Sequence, residues 1–391
     1  MIASDGMQFG ETEQLTRSRD RARESATKLA RFLGSRPELR GVVLTGPGPV
    51  AWATGGSSRP VDRAASVDLL WVVVTSDTAV LVTTEVEHDR VRDECDPAAL
   101  GFELVAVPWF DDLAFVRAAE DAAGASAELL GSDGHNAFGV DVTDELVSLR
   151  LTLTAPERDE LRSLGAATAG ALETALRGWV PGERDVELQA RVASGLEAAG
   201  ADAPVLIVGG DDRVERYRHP MAIGRPVERL AMTVTVARRA GLHAAATRFA
   251  SAGRLDDDFS VLRSRVLRVD ETVLASSKVG ANYGRVLESL DRAYTEVGAP
   301  EAWRGHYQGG PIGFAQREFE IAPCQRDSPW FDEPVAAGHA VAWNPSLPGG
   351  AKVEDTYLVG DDGLERVTAT QGWPTEPDDP LGRPAVLQEV G

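Results

Sequence analysis

The sequence predicts two domains, a small α/β domain over residues 1–153 and an α+β domain over residues 154–391. Three observations carry this. A chain of 391 residues exceeds what one compact core usually serves. In the first part, strand-like apolar runs alternate with helix-like stretches, the order of a sheet covered by helices. At Thr152–Glu157 the run TLTAPE joins a threonine able to cap a helix with a proline that suits a first helical turn, so a new helix starts there after a break.

From Thr12 to Phe32, Leu and Ala recur at helical spacing among charges, and Gly34 closes the helix. GVVLTGPGPVAWATG, from Gly41 to Gly55, reads as strand, Pro/Gly turn, and a short helix or strand. VDLLWVVVTSDTAVLVTTEVE reads as two strands around a Ser76–Asp77 turn, and Leu104–Val107 as another strand before the turn at Pro108–Asp111. Helical stretches fall at Glu87–Glu94 and Leu113–Ala122. Beyond the boundary, helices are expected over Glu157–Trp179 and Val186–Ala198, then a strand at Pro204–Val208, a charged loop from Asp211 to Pro220, and a hairpin of LAMTVTVA and LHAAATRFA around Arg238–Gly241. The acidic, Pro-rich tail after Gly372 reads as a loosely held end.

The net charge of −21 is spread along the chain, which disfavours nucleic acid as a partner because phosphate backbones would be repelled. Two cysteines, Cys95 and Cys324, stand far apart without metal-type spacing, so they read as ordinary thiols. No basic-plus-apolar leader opens the sequence and no run approaches a membrane span, so a cytoplasmic protein without a membrane partner is expected. The glycine-rich runs lack the lysine and the strand-to-helix context of a phosphate loop.

Chemistry-bearing residues crowd into the span from Trp303 to Thr356, which contains WRGHYQGGPIGFAQREFEIAP and GHAVAWNPSLPGGAKVEDTYLV. Polar side chains there are flanked by Gly and Pro, where backbone is being shaped, so the span reads as the wall of a site. His219 precedes Pro220 at the end of the charged loop, in backbone biased to extended conformation that can project an imidazole into a cleft.

The order of these motifs resembles the pita-bread family of creatinase, prolidase, aminopeptidase P and methionine aminopeptidase. The sharpest matches are residues 303–313 and the closing VEDTYLVGDDGLERVT. The resemblance implies a creatinase/prolidase-type N-terminal domain, a pita-bread catalytic-type domain with two pseudo-related halves, and a homodimer. It also implies a substrate-contacting histidine at His219, the acid/base of creatinase, and brings His243 to the same region, although His243 equally suits a packed strand.

This chain departs from the metal-binding members at four of the five ligand positions. The hairpin aspartates fall on the Thr233–Val236 region and on Ala245; the histidine of H-x-x-G-H-G-x-G falls on Gly310; the first glutamate falls on Asn344. Only Glu354 remains. A divalent cation needs oxygen ligands to replace its hydration shell, so neither a metal site nor any other cofactor is expected. Two readings follow: a metal-free enzyme acting on a C–N bond of a small carboxylate-bearing molecule or short peptide, or a non-catalytic binding protein on a peptidase scaffold. In the first, His219 or His306 moves the proton with Glu354 orienting it or a water; Arg317 and Lys352 hold a carboxylate; Asn344 and Gln308 polarise a carbonyl or bind an amide. A manganese-dependent Xaa-Pro peptidase is the third reading and would need the ligands that are missing.

Overall fold

A computed structural model describes residues 11–388, with the side chains of residues 11–15 outside the description. Two compact units divide between Glu157 and Arg158, the hairpin tip Ala240–Leu242 counting with the first.

The first unit is built on a six-stranded mixed sheet in the order β4-β3-β2-β1-β5-β6. Its strands are β1 (Gly41–Leu44), β2 (Leu70–Val74), β3 (Ala79–Thr84), β4 (Glu103–Val107), β5 (Leu130–Ser132) and β6 (Val140–Asp141). The four central strands are apolar runs, buried almost throughout, as expected for a sheet covered on both faces. Val43, Trp71, Val73, Val80, Val82 and Leu130 form its core with Ala114 and Ala119 of the helix Ala114–Ala123. The opening helix runs Glu11–Ser35, and the Pro/Gly turn after β1 leads into a short helix, Pro47–Ala53, with proline in its first turn.

In the second unit two long helices, Ala155–Arg177 (whose first residues lie in the first unit) and Asp185–Ala198, precede an antiparallel sheet of β7 (Asp202–Gly210), β8 (Leu230–Arg239) and β9 (Leu242–Ser251). The helices Asp257–Ser276 and Tyr283–Glu296 follow, then a second antiparallel sheet in the order β10-β11-β12-β13. Those strands are β10 (Gly309–Pro311), β11 (Ala340–Trp343), β12 (Asp355–Gly360) and β13 (Gly363–Arg366). Among the described residues no helix is long and apolar enough to cross a membrane.

The tail differs from the loose end its composition suggested. Arg383 donates to Asp270 (3.2 Å) and to Asp379 (2.9 Å), and Arg263 donates to Glu376 (2.7 Å). Leu387 joins β9 through its amide to the Phe249 carbonyl (3.0 Å), while Ser251 N–H donates to the Leu387 carbonyl (2.7 Å). Trp373 and Leu387 are buried. These three ion pairs offset what the proline and acid content would otherwise cost in order.

Candidate functional site

The site lies at one end of the four-stranded sheet and is fixed by strand register. Gly309 pairs with Trp343, and Trp343 with Asp355. One step outward along the same ladder, Gln308, Asn344 and Glu354 face one another: Asn344 N–H donates to the Gln308 carbonyl (3.0 Å) and Asn344 Nδ2 to Glu354 Oε1 (3.3 Å). A further bridge pairs Ser346 with Lys352. Gly309 makes this approach possible. Its φ of 82° lies in the left-handed region, and a Cβ there would stand 2.1 Å from the Ala342 carbonyl oxygen.

Glu354, 2 % exposed, is the hub. Its Oε1 also accepts from Arg317 Nη2 (3.1 Å), and its Oε2 accepts from Thr247 Oγ1 of β9 (3.1 Å). Ala245, at the position where the resemblance sets an aspartate, has its backbone stapled to β12 instead: its N–H donates to Thr356 Oγ1 (2.8 Å), which donates back to the Ala245 carbonyl (3.0 Å). The neighbouring Asp355 is taken by Arg248 (2.7 Å). Among the described residues no group of three or more His, Cys, Asp or Glu side chains is placed to hold a metal ion.

The loop after the short helix Asp212–Arg216 brings Arg218 and His219 beside His306 and Gln308. Asp185, fully buried, accepts from the backbone N–H groups of Ile223, Gly224 and Arg225, and Asp211 accepts from those of Glu228, Arg229 and Leu230. Pro220 lies so close to Gly209 of β7 that a Cβ there would stand 2.7 Å from it. The His219 ring meets the His306 ring edge-on, centroids 5.2 Å apart. A cleft of about 630 Å³ opens there, lined by Arg218, His219, His306, Tyr307, Glu320 and Ile321 among others.

Burial, with charge second, sets the protonation of the two imidazoles. Burial, then the Lys352 and His219 charges, pushes His306 down to about 2, so it is neutral across the physiological range. The near-neutral value that a proton carrier needs is therefore not found at His306, whose two buried ring nitrogens lack partners among the described residues. His219 is lowered too, by burial and then by Lys352, with Glu354 opposing. Lys352 is 3 % exposed, and burial lowers its pKa.

Four expected roles change once the contacts are known. Gln308 has both ends committed: its Oε1 accepts from the Tyr294 hydroxyl (2.9 Å), and its Nε2 donates to the carbonyls of Trp303 (3.1 Å) and His306 (2.7 Å). It clamps the wall, so the amide group expected to bind substrate is engaged within the protein. His243 is a packed strand histidine, its Nδ1 3.0 Å from the Gly313 carbonyl and its pKa pushed down to about 4 by burial. Arg317 is spent on Glu354, and Glu354 makes no hydrogen bond to either cleft imidazole among the described contacts. Asn344 keeps one buried atom, Oδ1, without a partner.

Sequence reasoning passed over Arg218. It stands beside His219 in the cleft and makes no hydrogen bond or ion pair among the described residues. The signal available was the run ERYRHP itself, in which Arg218 is the arginine next to the candidate histidine and has no carboxylate within three residues except Glu215.

Over almost its whole length the chain superposes on solved peptidase structures. Dipeptidase PepE from Mycobacterium ulcerans matches 95% of this chain and 98% of its own with a TM-score of 0.72 at 20% identity. Prolidase from Pyrococcus furiosus matches 88% of this chain and 100% of its own with a TM-score of 0.69 at 20% identity. The chain has the pita-bread fold of the prolidases. In sequence, the probable dipeptidase PepE of Mycobacterium tuberculosis is 25% identical over 247 residues, which is 60% of this chain and 63% of that relative, so less than two thirds of its length is covered. No family model matches. On this pita-bread scaffold the His219 loop and the segment from Trp303 to Gln308 line one cleft, which Arg218, His219 and His306 face.

Proposed function

We propose that this chain is a metal-independent hydrolase-like protein of the prolidase and creatinase type, acting on the C–N bond of a small carboxylate-bearing substrate. One observation carries the reading: the surviving carboxylate, Glu354, is already held by Arg317, Asn344 and Thr247. A cation entering there would have to displace a guanidinium and an amide, and only one carboxylate would repay its dehydration. The residues thus do not fit a dinuclear metal pair, and no step is routed through one.

The proton falls to His219. It is neutral near pH 7, faces the cleft, and can take a proton from water as the water attacks an amide or amidine carbon, then return it to the leaving nitrogen. His306, fixed as neutral imidazole, can donate one hydrogen bond to the developing oxyanion, with the Lys352 charge close behind. Arg218 holds the substrate carboxylate in place of the committed Arg317. The working unit is proposed to be a cytoplasmic homodimer.

Turnover of a panel of N-acyl and amidino derivatives of small amino acids, in the presence of a chelator, tests this. His219→Ala should lower any rate found by about 10²- to 10⁴-fold. An unchanged rate removes His219 from the chemistry. A binding protein without turnover is the second reading, favoured by the saturation of Glu354, and it predicts affinity for the same compounds with no product.

A further inference from the structure

Between Tyr217 and Ile223 the chain carries Arg218 and His219 into the cleft without regular secondary structure to hold them. From Arg218 to Ala222 no backbone–backbone hydrogen bond forms among the described residues. Nor does burial of large apolar side chains fix the segment, because Tyr217, Met221 and Ile223 are 52 %, 54 % and 62 % exposed. Pro220 alone of these residues is buried, against Gly209 of β7. Arg218 and His219 make no side-chain hydrogen bond among the described residues, and His219 meets the edge of the His306 ring. The place of both side chains is therefore set by whatever holds the backbone on either side of them.

That hold is a buried ion pair. Asp185, the first residue of the helix Asp185–Ala198, has a side chain 0 % exposed, and its Oδ2 accepts from Arg213 Nη1 (2.7 Å). Its Oδ1 accepts from the N–H groups of Ile223 (3.1 Å), Gly224 (2.7 Å) and Arg225 (3.1 Å). Arg213 grips the same segment from the other side. Its Nη2 donates to the Met221 carbonyl, and its own carbonyl accepts from Tyr217 N–H (3.0 Å). One carboxylate and one guanidinium thus fasten residue 217 and residues 221 to 225, with Arg218 and His219 suspended between. Hydrogen bonds to ionised groups are roughly twice as strong as neutral ones, and the planar guanidinium fork lets a single side chain span two acceptors.

We propose that Asp185 and Arg213 are positioning residues, a buried pair that sets Arg218 and His219 against His306 and so fixes the geometry in which the cleft meets its ligand. This rests on the reading that Arg218 and His219 meet the substrate. Neither Asp185 nor Arg213 lines the cleft, so both act through the backbone of the segment they hold. Loss of Arg213 frees the segment without opening the unit, because Asp185 keeps three backbone donors and Arg213 sits on a helix of only five residues.

Hydrogen exchange of the full chain, read peptide by peptide by mass spectrometry, tests the positioning without a substrate. Arg213→Ala should speed exchange at residues 223–225 by about tenfold, because a hydrogen bond to a charged group contributes about that factor or more to the closed state. β7 and β8 should exchange as before. Arg213→Lys keeps a charge on Asp185 but cannot span both acceptors as the fork does, so it should fall between Arg213→Ala and the wild type. Arg263→Met breaks the buried pair with Glu376 in the same unit and should not speed residues 223–225 selectively. Should Arg213→Ala fail to fold, Arg213→Lys must by itself show the faster exchange there. Wild-type exchange at 223–225, or an equal rise in Arg263→Met, overturns the inference. Where a compound of the N-acyl panel is turned over, Arg213→Ala should cut kcat/KM by about 10²-fold, the cost of misplacing a group by about 1 Å. Arg213→Lys should recover part of that loss and Arg263→Met should show none; an unaltered kcat/KM in Arg213→Ala overturns the inference as well. Faster exchange in Arg213→Ala, with no compound turned over by the wild type, supports the positioning and removes only the C–N reading.

Discussion

Arg317 Nη2 and Glu354 Oε1 stand 3.1 Å apart at the end of the four-stranded sheet, and the carboxylate is 2 % exposed. The Arg317 guanidinium thus holds the carboxylate that the family resemblance would make a metal ligand. Glu354→Gln removes the negative charge but keeps the shape, leaving Arg317 and Lys352 without their buried carboxylate. The variant should lose about 3 kcal/mol of stability in urea unfolding, within the range seen when one member of a buried pair is removed. Arg317→Met should lose about as much, and the double variant less than the sum of the two. Additive losses would mean that the pair does not interact.

How much of this was legible in the sequence varies with the kind of group. Strand positions followed from apolar runs bounded by Gly and Pro, as at Val42–Leu44 and Leu70–Val74, because pattern and burial are the same physics there. The approach of His219 to His306 came through motif order. What could not be read was which partner each polar side chain would take. Arg317 might have paired with Glu318 or Glu320, Glu354 with Arg248, and Lys352 with Asp355, each a neighbour by sequence or resemblance. In the fold Arg317 pairs with Glu354 and Arg248 with Asp355, and Lys352 makes no ion pair among the described residues. Those choices are set by the register of β11 against β12 and by the approach of β9.

Acid should weaken the fold through its buried histidines. His306 is held down to about 2 and His243 to about 4, each by burial, against about 6.5 in an unfolded chain. Between those values the unfolded chain binds more protons than the folded one, so stability rises with pH and is lost as pH falls below about 6.5. Each histidine contributes a slope of up to about 1.4 kcal/mol per pH unit over that window. Unfolding free energies measured from pH 7 to 5 should fall more steeply in the wild type than in His306→Phe. Parallel curves would contradict the neutral state of His306.

Gly309→Ala should break the site wall. The added methyl would meet the Ala342 carbonyl oxygen at 2.1 Å, in backbone already at φ 82°. A cost of about 2 kcal/mol or more is expected, with loss of binding greater than loss of stability, since Gln308, Asn344 and Glu354 are aligned through this ladder. Wild-type binding in Gly309→Ala would show that the register does not set the site.

Removing the residues after Gly372 should unfold the second unit rather than trim it. Arg383 is the buried counter-ion of Asp270, whose carboxyl is pushed up to about 7 by burial even with that partner present. Arg383→Met, the milder change, should cost about 3 kcal/mol. Wild-type stability of the truncated chain in thermal denaturation would restore the loose tail that the composition suggested.

The central claim is that guanidinium, ammonium and imidazole groups now occupy the chemistry that two cations would otherwise supply. Its most direct test is elemental analysis of the purified, extensively dialysed chain together with binding measured after manganese, cobalt or zinc is added back. The account predicts less than about one tenth of an equivalent of bound metal, since one carboxylate cannot hold a dinuclear pair, and ligand affinity that is unchanged by chelator or metal. Stoichiometric metal retained through dialysis, or affinity that appears only with added metal, would contradict it.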